Sequence, residues 1–140
     1  MKLEVSTDIE RPVGKVWDFY AVRHVENHAR WDPSIELEPA SHEPIGVGTV
    51  IRRRATRFGT IAEGTMEVTE FEPQKVMSVR TQDGPMAISG SAVFDALGEG
   101  ETRLTLAAEF LGMDDSMEET IRPLMERSAS NIKSLIESED

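Results

Sequence analysis

The chain has no cysteine among its 140 residues. That excludes a disulfide framework and any thiolate metal site. Aromatic residues are scarce at 6%, with two Trp and one Tyr, so each one matters to any argument about packing or stacking. Basic residues are also short: 15 Lys and Arg stand against 26 Asp and Glu, for a net charge of −11. A field of that sign repels phosphate backbones and anionic membrane surfaces, and no nucleic-acid partner is expected. No stretch reaches the roughly 18 consecutive apolar residues of a membrane span. The opening "MKLEVSTDIE" alternates apolar and polar residues, unlike a signal-peptide core. The expectation is a cytoplasmic protein with no stable membrane insertion, and one domain spanning 1–140.

Catalytic signatures are missing too. There is no serine in a nucleophile-elbow setting, and no glycine-rich loop opening a helix; "GVGT" precedes a strand and reads as a turn. No cofactor is expected. His24 and His28, four apart on a short helix, share a face as a metal pair would. "HVENH" is not the zinc-protease pattern, and a third ligand would have to be a distant group such as Asp32 or His42. The pair is therefore read as the wet face of a short helix, and no metal site is assigned.

What the chain does contain is clear patterning. "LEVSTDIE" alternates as a strand with Leu3, Val5, Thr7 and Ile9 on one face. Pro12 suits the first position of a short helix carrying Val13, Val16, Trp17 and Tyr20. "RHVENHARW" is a second short helix, stopped before Pro33. Period-two strands follow near 34–40, 48–58, 60–71, 75–82, 86–96 and 102–112. The last segment is helical, with a capping box from Ser116 to Glu119. Its stripe holds Met117, Ile121, Leu124, Met125, Ser128, Ile132, Leu135 and Ile136, interrupted by Pro123. An interior proline costs about 3 kcal/mol, so a kink or a broken first turn is expected there. Seven strands, two short helices after the first and one long C-terminal helix make an α+β domain with helices on one face of an antiparallel sheet.

That order, with "PVGKVW", "RWDP", "GVGT", "GTMEVTEFEP" and "ETRLTL", resembles the START-like or SRPBCC superfamily, in particular its polyketide cyclase/dehydrase and lipid-transport group. The resemblance implies a helix-grip fold, in which the sheet curls around the C-terminal helix and leaves a cavity for a hydrophobic ligand. It implies that the aromatic of "RWDP", Trp31, mainly anchors the short helices, and that the C-terminal stripe forms one cavity wall. Trp17 is open to either role.

Four arginines crowd into "VIRRRATRFG", residues 50–59. A hairpin with Gly59 at the first central turn position sets Arg52 across from Glu67 and Arg54 diagonal to Glu63, an outward ladder of charge pairs. The other face carries Ile51, Arg53, Ala55 and Arg57 against Val68, Met66, Gly64 and Ala62. Arg57 can reach water near the tip, but Arg53 is mid-strand. The inward residues of the remaining strands are Ile35, Leu37, Met86, Ile88, Gly90, Ala92, Phe94, Leu104, Leu106, Ala108 and Phe110, with Met77 and Val79, and none is acidic. An unpaired buried guanidinium costs several kcal/mol. Arg53 must then snorkel to the cavity mouth, pair with a helix carboxylate such as Glu118 or Glu126, or await an anionic ligand.

The reading is a protein that binds or transports a small hydrophobic ligand, lipid-like or polyketide-like, with an acidic or carbonyl group. Its ligand-binding candidates are Arg53, Met66, Val68, Ile88, Phe94, Leu106, Phe110, Leu124, Ser128 and Trp17. An aromatase/cyclase acting in the same cavity is the alternative. A co-chaperone-like module would need an exposed apolar stripe, which the sequence does not display. A carrier should have a nearly all-apolar pocket with one anchor; a cyclase should show several converging polar groups.

Overall fold

The computed structural model describes residues 1–39, 43–57 and 59–139, with only the backbone of Arg57. His42 and Phe58, and the direction of the Arg57 side chain, lie outside the described residues. The strands are β1 (Lys2–Ile9), β2 (Ile35–Pro39), β3 (Val50–Arg57), β4 (Thr60–Glu72), β5 (Val76–Asp83), β6 (Met86–Gly98) and β7 (Glu101–Leu111). They form one antiparallel sheet in the order β1-β7-β6-β5-β4-β3-β2. Hairpin connections give every neighbour except the β1–β7 pair, which brings the first strand against the last.

Helix α1 (Val13–Trp17) is preceded by Pro12, which caps it in an extended conformation (φ −61, ψ 150) instead of starting it. A wide turn over Asp18–Val22 joins α1 directly to α2 (His24–Trp31). Helix α3 (Glu118–Ser138) runs unbroken through Pro123, with a tighter turn over Asp115–Met117 ahead of it. The expected capping box does not form. Asp114 instead accepts the Ser116 backbone N–H at 2.8 Å, so the cap lies two residues earlier. The proline ring faces solvent five residues into α3, so the missing backbone bond falls near the helix start, where packing on one face still holds the turn.

Alternation places the core as the sequence predicts. Leu3, Val5 and Ile9 of β1, Ile51 and Ala55 of β3, and Ile88, Ala92 and Phe94 of β6 are all buried. One cluster gathers Trp17, Phe19, Trp31, Val68, Phe94, Ile132 and Ile136 beneath the short helices. A second joins Leu3, Ile88, Phe110 and Ile121 near the start of α3. Helix α3 lies closest to β1 and α2, which leaves space between its middle and the centre of the sheet. Among the described residues no helix is long and apolar enough to cross a membrane.

Candidate functional site

That space is a cavity of about 490 Å³, within the usual range for a small-molecule site. Its apolar wall comes from Met66, Met77, Val79, Ile88, Leu106, Phe110, Ile121, Leu124 and Met125. The sheet supplies most of it because β5, β6 and β7 each turn every second side chain toward α3. Polar groups enter at several points: Tyr20, His24, His28, Asp32 and Ser34 around α2, Arg53, Thr56 and Thr81 from the sheet, and Ser128 and Asn131 from α3. Asn131 also donates to the Trp31 carbonyl at 3.1 Å, tying α3 to the end of α2.

Of the residues expected to line the site, Arg53, Met66, Ile88, Leu106, Phe110, Leu124 and Ser128 do so. Trp17, Val68 and Phe94 do not. They belong to the core beneath the short helices, where Trp17 meets Phe71 and Phe94 edge-on at 4.9 and 5.0 Å. Trp31 both anchors α2 and lines the cavity, with Tyr20 stacked on it at 5.1 Å and His28 at 5.0 Å.

The arginine strand needs a correction of register. Arg57 pairs with Thr60, and Gly59 takes φ 77, so the turn sits one residue earlier than expected and every pairing shifts by two on β4. A shift of two leaves the faces unchanged. Arg54 lies directly opposite Glu63, at 3.0 Å, while Arg52 reaches Glu38 at 3.7 Å and Glu67 goes to Arg80. Arg53 is inward, and its partner is none of those anticipated. Its Nε donates to both carboxylate oxygens of Asp83, at 2.8 and 3.0 Å, with both side chains at least nine-tenths buried. Arg53, Gly64 and Asp83 form one row across β3, β4 and β5. Gly64 has no side chain to fill the space between them, and a Cβ there would come within 1.7 Å of the Gln82 carbonyl oxygen. Among the described residues the guanidinium makes no further hydrogen bond, and it lines the cavity.

The histidines need a second correction, because they are not on a wet face. His24 is buried and both rings line the cavity. Trp17, Tyr20, His24, His28 and Trp31 recur every three or four residues, so one stripe continues through the turn between the helices. His24 Nδ1 lies 2.8 Å from the Tyr20 carbonyl oxygen, and its Nε2 lies 3.1 Å from His28 Nδ1. Burial pulls the His24 pKa down to about 4; the Tyr20 carbonyl opposes this and the Arg53 charge adds to it. His24 is therefore neutral at ordinary pH. Burial likewise pushes the Tyr20 hydroxyl up. Among the described residues no group of three or more His, Asp or Glu is placed to hold a metal.

A curled antiparallel sheet gripping a C-terminal helix across a cavity is the helix-grip fold of the START-like proteins. The family described as "Polyketide cyclase / dehydrase and lipid transport" matches residues 1–137, and the chain belongs to it. Solved structures agree on the fold. Ara h 8.0201 superposes with a TM-score of 0.77 at 15% identity, covering 99% of each chain. The Zhui aromatase/cyclase from a Streptomyces species gives 0.76 at 18% identity, covering 98% of this chain and 93% of that one. Norcoclaurine synthase from Thalictrum flavum, in complex with dopamine and hydroxybenzaldehyde, gives 0.72 at 13% identity, covering 100% and 88%. No curated protein sequence matches significantly.

Proposed function

We propose that the cavity binds a small hydrophobic molecule and receives its carbonyl oxygen at Arg53. The observation that carries this reading is the buried Arg53 guanidinium in the cavity wall, paired behind it with Asp83. Asp83 offsets the guanidinium charge, so a ligand carboxylate would face a compensated site and lose its own hydration for little return. A neutral carbonyl needs only the N–H donors, and a hydrogen bond to a charged group contributes about 1.5–3 kcal/mol. The surrounding Met66, Ile88, Leu106 and Phe110 suit a flat or elongated apolar body.

A polyketide cyclase/dehydrase type of enzyme is the second reading. It is favoured by the number of polar groups converging on the cavity, His24, His28, Arg53 and Thr81 among them, where a carrier needs a single anchor. The family description and the aromatase/cyclase relative fit it.

Calorimetric titration with acetonaphthone, naphthoate and naphthalene tests the binding reading. The ketone should bind about tenfold more tightly than the hydrocarbon and more tightly than the acid. Equal affinities for ketone and hydrocarbon, or a preference for the acid, would overturn it.

A further inference from the structure

We infer that Arg127 holds an anionic end of the ligand at the mouth of the cavity. The preferred ligand class is then a keto acid, with a carbonyl inside, an apolar body and a carboxylate that stays at the rim. This inference rests on the proposed carbonyl reading of the site and adds a second polar contact to it.

The two arginines that line the cavity sit in opposite surroundings. Arg53, on β3, is buried and paired, whereas Arg127, on α3, is exposed. Pro33, Thr56 and Leu124 are the other exposed residues of the lining. The cavity therefore opens between the middle of α3 and the β2–β3 side of the sheet.

Arginine is otherwise matched in this acidic chain. Among the described residues, every other arginine side chain donates to a carboxylate or a backbone carbonyl, or forms an ion pair. Arg127 does neither. The helix sequence explains the difference. On α3, Arg122 meets Glu118 and Lys133 meets Glu137, each four residues away. The positions three and four residues from Arg127 hold Pro123, Leu124, Ser130 and Asn131, none of them charged, and the adjacent Glu126 does not share its face. Asp32, the carboxylate that lines the cavity, accepts from the Ser34 backbone and hydroxyl instead.

The two ends then suit different groups. A carboxylate at Arg53 would lose its hydration beside a guanidinium already offset by Asp83. At the rim it keeps water on one side and meets an uncompensated charge, whose planar fork matches both of its oxygens. At an exposed position this contact raises affinity by up to about fivefold, less than the hydrogen bond at Arg53. Naphthoate, with a single polar group, forgoes the stronger contact, and acetonaphthone keeps it.

The test is calorimetric titration with an acetonaphthone that carries a flexible butanoate chain on its far ring, compared with the methyl ester of the same compound. The acid should bind about three- to fivefold more tightly than the ester at low ionic strength. The difference should vanish in about 1 M salt, where screening acts over about 3 Å. Arg127→Gln should erase it by weakening the acid alone, and Arg127→Glu should invert it. Equal affinities in the unaltered protein, a preference for the acid that survives in Arg127→Gln, or an equal loss for acid and ester in that variant would each overturn the inference while leaving the binding reading standing. Failure of both the ester and acetonaphthone to bind would overturn both.

Discussion

Replacing Arg53 by methionine should destabilise the protein by about 3–5 kcal/mol, because it strands a buried carboxylate. The size follows from the surroundings. The Arg53 and Asp83 side chains are 6% and 4% exposed, and Nε bridges both Asp83 oxygens, so water cannot replace the lost partner. Asp83→Leu should cost a similar amount for the mirror-image reason. The double variant Arg53→Met/Asp83→Leu should recover most of the loss, since apolar replacements of a buried pair are often neutral. Urea unfolding of the four proteins gives a coupling energy, expected to be at least about 2 kcal/mol. Single costs below about 1 kcal/mol, or strictly additive ones, would refute the reasoning, because that is how an exposed pair behaves. The double variant also isolates recognition: it should stay folded and lose the preference for ketone over hydrocarbon.

His24 makes stability depend on pH. Its pKa is about 4 in the fold against an ordinary 6.5, so the unfolded chain takes up a proton first. The contribution is intact above about pH 6.5 and is lost as pH falls toward 4. Between pH 8 and 5 it amounts to about 2 kcal/mol; His24→Phe should show that much less pH dependence in urea unfolding, and an unchanged profile would contradict the burial argument. Gly64→Ala should cost more than about 2 kcal/mol, since its Cβ would meet the Gln82 backbone; a thermal midpoint unchanged within error would contradict this. Duplex DNA and RNA should not bind with micromolar affinity at physiological salt in a filter assay, because Arg52 and Arg54 are matched to Glu38 and Glu63 in an acidic field; measurable micromolar binding would overturn it.

The strand alternation and the long apolar stripe were enough to place the sheet and the helix that closes it, and two-residue periodicity correctly turned Arg53 inward. Register was less legible, because Phe58-Gly59 and Gly59-Thr60 both read as turn centres and the faces are the same in either case. The role of Asp83 is hidden in the sequence for a related reason. Followed by Gly84-Pro85, it reads as a turn aspartate, yet it pairs with Met86 as the last ladder residue of β5. The setting of the histidines is hidden when His24 and His28 are read within one short helix. Followed back through Tyr20 to Trp17, the same spacing marks a buried stripe. Trp17, Val68 and Phe94 face the interior as expected, but alternation does not distinguish a side chain that fills the core from one that borders a cavity.

The most direct test of the account is where a bound ketone sits. Nuclear Overhauser contacts from acetonaphthone should reach the methyl groups of Met66, Ile88, Leu106 and Ile121, which border the cavity, and the ketone methyl should lie at the Arg53 end. Contacts confined to exposed side chains such as Val47, Ile61 or Leu97, or contacts that place the carbonyl away from Arg53, would contradict it.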